Sequence, residues 1–344
     1  MKMKMIIDTD GLSDDMRAIS LAIMHPDVEL IAITTVHGGI SAKQATANVA
    51  RLQRAIGVQP PIPIYQGLSE ALIRKPLVVQ SFFGNDGIGD RPDLPPEATS
   101  ADYTAQEEES AVLALIRLVK ENEDVTLVTI GPLTNVAMAY KLDPNFEKNL
   151  KKLVVLGGNY FGVGNVSDFT SSEFNFGTDP EAAKIVVEEM NTLITMVPRE
   201  VHYMRGVEHE ELVDFDAHLK YDTPLAAFLS LATQIGRDAM AKYNRQYNYC
   251  DEIAVAVAIN EDLIAKKTID LRIGIELAGQ MTRGQVVVDW RGVLFGRDGT
   301  LTDSRRANDH TDGSGHYIRV VVDYDVKVLD QWIHNTVLGK EAPW

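Results

Sequence analysis

Over most of its length the chain alternates short apolar runs with longer stretches of helical periodicity, and few folds accept that pattern. A strand covered on both faces reads as an unbroken apolar, β-branched run rather than an alternating one, and such strands separated by helices form a mostly parallel sheet. Residues 5–8 read as a first strand, 14–25 as a helix that is apolar on most sides, and 28–36 as a doubly covered strand. Ser41 and Gln44 stand at capping-box spacing before an apolar stripe of Ala45, Val49, Leu52 and Ile56, with Gly57 placed to end that helix. Residues 125–130 give a strand followed by Gly131-Pro132, and 153–156 a strand ending at Gly157-Gly158. Asp179-Pro180 supplies a cap and an N1 proline for a helix to about residue 190, and 192–197 is one more strand.

From there the chain reads as mainly helical to about residue 264. Asp222-Thr223-Pro224 opens a helix to about residue 243, and 252–259 forms a shorter one. Residues 269–325 read as strands and polar turns around a Gly/Asp/His-rich loop at 296–316. The expected fold is α/β, an open, mostly parallel sheet flanked by helices, in one domain over residues 1–344. Two loops stand out by length, 84–96 and 157–172, and long loops after strands are where open α/β sheets place ligands.

Charge narrows the partners. With 33 basic and 49 acidic residues the net charge is −16, a field that repels nucleic-acid polymers and anionic membranes but suits a divalent cation or a small neutral ligand. No run approaches the roughly 20 apolar residues of a membrane span. Cys250 is the only cysteine, so no internal disulfide forms, and the apolar run after the first lysines is too short for a secretion signal. The expectation is a soluble cytoplasmic protein.

The sequence Asp8-Thr9-Asp10-Gly11-Leu12-Ser13-Asp14-Asp15 places four carboxylates within eight residues between a buried strand and a buried helix, with Arg17 the only base nearby. Ionised together they repel one another, and a hard cation that takes oxygen ligands resolves the conflict. Asp14 and Asp15 alone could complement a helix dipole. Asp8 and Asp10, at the carboxyl end of a strand, have no such explanation.

This stretch resembles the amino-terminal fingerprint of the inosine–uridine-preferring nucleoside hydrolases, Asp-x-Asp-Pro-Gly-x-Asp-Asp, with Gly11-Leu12 where Pro-Gly is usual. The resemblance continues at residues 31–39, at Asn48, at Gly131-Pro132-Leu133-Thr134-Asn135, at Gly157-Gly158, at Glu173-Phe174-Asn175, at residues 179–183 and at Asp251. It implies one Ca²⁺ held by Asp10, Asp15, Asp251 and the carbonyl of Ile130, with Asp10 as general base toward an attacking water. It also implies that Asp14, Asn165, Glu173 and Asn175 grip a ribose with Phe174 packed between the last two, and that the chain forms a homodimer or homotetramer. The implied activity is cleavage of the N-glycosidic bond of a ribonucleoside or related N-riboside, through an oxocarbenium-like transition state and with inversion.

Three positions depart from the family's pattern. Cys250-Asp251 stands where well-characterised members carry His-Asp, the histidine serving as acid for the leaving base. Cys250 is therefore either a thiol donor or a small packing residue. Gly38-Gly39 replaces Gly-Asn, with His37 beside it as a substitute or a structural residue. Phe83-Gly84-Asn85-Asp86-Gly87 replaces a His-Gly loop, leaving Phe83 to stack on a base but not to move a proton. Tyr247, Tyr249, Arg245 and His310 are further candidates for protonating the leaving group. Two rival readings remain. One is a nucleoside- or ribose-binding protein that keeps the metal site without turnover. The other is a phosphatase of the haloacid-dehalogenase type, suggested by Asp8-x-Asp10 but lacking the usual Thr or Val at Leu12.

Overall fold

The computed structural model describes residues 2–73, 82–104, 109–166, 170–290, 293–295, 301–303, 317–339 and 342–344. His310 and most of the 296–316 loop lie outside the described residues.

Strand β1 (Met3–Thr9) runs into helix α1 (Ser13–Met24), β2 (Val28–Thr35) into α2 (Ala42–Ile56), and β3 (Ile64–Gln66) follows. The Ser41 side chain accepts from Gln44 N, and Gly57 ends α2 at φ 77°, as the spacing predicts. The Gln44 side chain does not complete a capping box; its amide donates to Asn48 Oδ1 instead. Helix α3 (Ala111–Glu121) precedes β4 (Val125–Thr129), α4 (Thr134–Leu142) precedes β5 (Leu150–Leu156), and α5 (Phe174–Thr178) and α6 (Pro180–Lys184) precede β6 (Ile194–Val197). Asp179 caps α6 by accepting from Ala182 N, but the helix widens into a π-turn at Ile185–Glu189 rather than continuing regularly.

Short helices α7 (Arg199–Tyr203) and α8 (Gly206–Glu210) lead to α9 (Pro224–Ala232) and α10 (Gln234–Ala241). The sequence predicts one helix here. It divides at Thr233 (φ −91°, ψ −4°), although Thr233 N still donates to Leu229 O at 3.0 Å. Helices α11 (Asp251–Ile259) and α12 (Glu261–Ile264) end the helical part; β7 (Ala265–Leu271), the pairs β8 (Ile273–Ile275) with β9 (Val286–Val288) and β10 (Val293–Phe295) with β11 (Leu301–Asp303), and β12 (Ile318–Tyr324) follow. A final helix, α13 (Val326–Leu338), was not anticipated from sequence.

The central sheet has eight strands in the order β3-β2-β1-β4-β5-β6-β12-β7, parallel except for β7 at the edge. Both faces are covered. Met5, Ile7, Val128 and Val154 point into a core shared with α1, α9, α11 and α13. Ile6, Leu127, Leu153 and Val155 point into a second core with α3, α4 and α6. The strand order reverses between β1 and β4, and at that switch point the carboxyl ends of adjacent strands diverge to leave a crevice. Asp10 follows β1 and Ile130 follows β4, with Ile130 N donating to Asp8 O at 2.8 Å.

Candidate active site

A cavity of about 350 Å³ opens at this switch point. Its floor carries Asp10, Asp14, Asp15, Ile130 and Asp251. Asn165, Glu173, Phe174, Asn175 and Phe83 also line the cavity, and Cys250 lies beside Asp14 and Asp251. The structure thus brings the residues singled out for metal and sugar, together with Phe83 and Cys250, into one cavity.

The floor is held by backbone geometry. Gly11, at φ 71°, turns the chain from β1 into α1 against α2, where an added Cβ would lie 2.6 Å from Ala45 Cα. Asn48 ties this turn to the next loop, its amide donating to Gly11 O at 2.9 Å and to Asp86 O at 2.7 Å. Asp10 Oδ2 accepts from Gly39 N at 3.0 Å. Gly38 passes so close that a Cβ there would meet Asp10 Oδ2 at 2.0 Å. Asp15 accepts from the Thr9 hydroxyl and from Leu12 N at 3.0 Å. Among the described residues, the possible metal-ligand atoms of Asp14, Cys250 and Asp251 all lie within 4.8 Å of one another.

Burial and proximity make these groups costly to ionise. Asp10 is pushed up to about 7, first by burial and then by the Asp14 and Glu173 charges. Asp14 and Asp251 are raised well above the usual carboxylate range by burial and by neighbouring acids, and Asp15 by burial and Asp10. Asp14 Oδ1 is buried without a hydrogen-bond partner. Crowded carboxylates, an orphaned carboxylate oxygen and a carbonyl-bearing strand end form a donor set that fits a hard divalent cation with oxygen ligands.

Glu173 caps α5, accepting from Asn175 N at 2.9 Å, Phe176 N at 3.1 Å and Gly158 N at 2.8 Å. Asn175 donates to Leu156 O at 3.1 Å and Ile130 O at 3.4 Å, which fixes it over the end of β4. Asn165 is placed by its own N–H bond to Ser172 O at 3.1 Å.

Other expectations require correction. Asp8 does not join the acidic floor. It faces Asn135 Nδ2 at 2.8 Å and Thr34 Oγ1 at 2.5 Å, because it still lies within β1, whereas Asp10 lies past the strand's end at Thr9, in the turn toward α1. That removes the nucleophile a dehalogenase-type reading needs. His37 also lies off the cavity, with Nε2 3.0 Å from Thr134 Oγ1. Tyr249 is fully buried and donates to Asp330 Oδ1 at 2.6 Å. Arg17 forms a buried ion pair with Glu252, whose other oxygen accepts from Cys250 N at 2.7 Å.

Tyr247 and Arg245 do line the cavity. Tyr247 packs with Phe82 and Phe83 into an aromatic wall, ring centroids 6.3 and 6.4 Å away. Arg199, His202 and Tyr203 of α7 complete the wall and were missed from sequence. Their position directly after β6, at the same carboxyl edge of the sheet, was the available signal.

The pattern of the inosine-uridine preferring nucleoside hydrolases matches residues 5–331. The inosine-uridine preferring nucleoside hydrolase of Leishmania major is 33% identical over 294 residues, 85% of this chain and 89% of that protein. Uridine nucleosidase 1 of Arabidopsis thaliana is 40% identical over 185 residues, about half of each chain (53% and 52%). The solved structure of an inosine-guanosine nucleoside hydrolase superposes with a TM-score of 0.82 at 26% identity, covering 98% of this chain and 99% of that one. With the switch-point cavity and its acidic floor, this match places the chain in the inosine-uridine preferring nucleoside hydrolase family of N-glycosyl hydrolases.

Proposed function

We propose that the chain hydrolyses the N-glycosidic bond of a ribonucleoside or related N-riboside to ribose and free base, with Ca²⁺ as its cofactor. The observation that carries this reading is the convergence of Asp10, Asp14, Asp15 and Asp251 in one cavity that aromatic residues also line. Asp10, Asp15, Asp251 and the Ile130 carbonyl would hold the cation, and a bound cation supplies a water of lowered pKa and a grip on the sugar hydroxyls.

The remaining work falls to side chains. Asp10 accepts the proton of the attacking water. Asp14, whose Oδ1 has no other partner, accepts from a ribose hydroxyl, while Asn165, Glu173 and Asn175 fix the sugar and Phe174 packs against it. Anionic groups around the ring stabilise the positive charge of an oxocarbenium-like transition state, and water arriving opposite the base gives inversion. Phe83 stacks on the base. Cys250 faces the same space, but burial and the neighbouring Asp251 push its thiol well above its ordinary range, so it holds its proton at neutral pH. The same reading extends to a homodimer or homotetramer working in the cytoplasm on nucleosides for salvage. Among the described residues no helix is long and apolar enough to cross a membrane.

The test is reducing-sugar release from inosine, uridine, guanosine and nicotinamide riboside, beside an Asp10→Ala control. Release that the substitution abolishes supports the reading. Binding of a riboside without release from any of them replaces it with a nucleoside-binding protein.

A further inference from the structure

Cleaving an N-glycosidic bond separates charge, leaving the sugar positive and the departing base negative. The acidic floor answers the positive side. The negative side calls for a cation or a strong hydrogen-bond donor, and the candidates in or beside the cavity differ in what they have free. Arg17 is bound to Glu252, and Arg245 pairs with Glu210 at 2.8 Å. The Tyr247 hydroxyl turns to Ser13 Oγ at 3.4 Å. Arg199 lines the cavity, yet its Nε is buried with no hydrogen-bond partner, and among the described residues no carboxylate pairs with it.

Its position is nonetheless defined. Arg199 N donates to Gly158 O at 3.0 Å, and the guanidinium carbon sits 4.8 Å from the centre of the Tyr203 ring. Its positive charge opposes the burial-driven rise in pKa of both Glu173 and Cys250, so it lies within electrostatic reach of both. His202 lies one turn along α7 on the same wall. Burial and the Arg199 charge lower its pKa to about 3, so it adds no second positive charge at neutral pH.

We propose that Arg199 is a catalytic residue of the leaving-group side, donating hydrogen bonds to acceptor atoms of the departing base and offsetting the negative charge the base acquires. This rests on the hydrolase reading above. In the step, the water oxygen bonds to C1′ as the C1′–N bond breaks, the bonding pair passes to the base nitrogen, and the water proton goes to Asp10. The base then takes a proton from solvent, and Asp10 returns its own. Arg199 transfers no proton, since a guanidinium stays charged in proteins. The substrates it serves are ribosides whose leaving group carries a carbonyl oxygen or ring nitrogen near the glycosidic nitrogen. A nitrophenolate, which bears negative charge well unaided, has no need of it.

The experiment compares the full chain, Arg199→Met and Arg199→Lys on inosine, uridine and para-nitrophenyl riboside, all with Ca²⁺. The Met variant is expected to lose roughly 100-fold or more in kcat on the nucleosides with KM little changed, while para-nitrophenyl riboside loses less than about threefold. The Lys variant should fall between. Equal losses on both substrate classes overturn the proposal and move Arg199 to the sugar. Should the Met variant lose both through misfolding, the ratio of losses in the Lys variant decides, equal losses again overturning it. Unchanged kcat on nucleosides also overturns it. A wild-type chain that releases sugar from neither class refutes the hydrolase reading instead.

Discussion

The two ends of the cavity are built by different means. The acidic end hangs from the carboxyl ends of β1 and β4 and from the first turn of α11, and Asp10 and Asp15 are each fixed by a backbone N–H. The aromatic end is assembled from α7, α10, the segment before α11 and Phe82-Phe83, which touch mainly through ring faces and long side chains. Strand ends in a doubly covered sheet cannot shift without disturbing both cores, whereas short helices and loops can be exchanged. On the proposed function, the chemistry would be tied to the scaffold and the choice of leaving group to its attachments.

Substitutions at the two ends should accordingly fail differently. The largest effect is expected for Asp10→Ala, which should lower kcat by roughly a thousandfold or more on every riboside. Phe83→Ala should change KM by only about tenfold or less, and unequally between bases, since aromatic stacking contributes about 0.5–1.5 kcal/mol. Steady-state kinetics on a purine and a pyrimidine riboside checks both, and a uniform loss for Phe83→Ala would erase the distinction. Gly38→Ala comes next. Its Cβ would force the Asp10 carboxylate aside, and a displacement of about 1 Å can cost about a hundredfold in rate. The expected result is that loss in kcat, with a fall in Tm too, since the crowding also meets Asp10 Cβ and overpacking costs about 1–3 kcal/mol.

The join between the two ends is the Arg17–Glu252 pair, buried on both sides. It couples α1 to the segment that delivers Tyr247 and Cys250, with Arg17 also donating to Asn248 O at 3.0 Å. Removing one partner strands the other charge, and Glu252→Gln should cost about 3–5 kcal/mol in denaturant unfolding. A cost below about 1 kcal/mol would show that the two ends fold independently of this link.

The smallest effect concerns pH. Burial lowers His37 to about 4, below its unfolded value near 6.5. Between those values the unfolded chain binds a proton that the folded chain refuses, so stability falls as pH drops from about 6.5 to about 4. His37→Gln should flatten that acid limb of the Tm profile. Parallel profiles would remove His37 from the account.

Legibility in the sequence follows the same division. Strands β1, β2, β4, β5 and β6 are continuous apolar runs, and the caps at Ser41 and Asp179 are local chemistry, so these elements can be read without tertiary knowledge. The acidic turn is equally plain. Sequence could not show that β1 ends between Asp8 and Asp10, so that the two carboxylates part, or that the helix divides at Thr233. It did not reveal Arg199, His202 or Tyr203, because a short helix has too little periodicity to mark a face. What distinguishes Arg199, a half-buried cation with no carboxylate partner among the described residues, depends on where every other charge settles.

The most direct measurement is ribose release from uridine and inosine by chelator-stripped protein as Ca²⁺ is returned. The account predicts no release before addition, then a saturable rise that Asp251→Ala abolishes. Release that ignores Ca²⁺, or riboside binding with no release at any Ca²⁺ concentration, would contradict it.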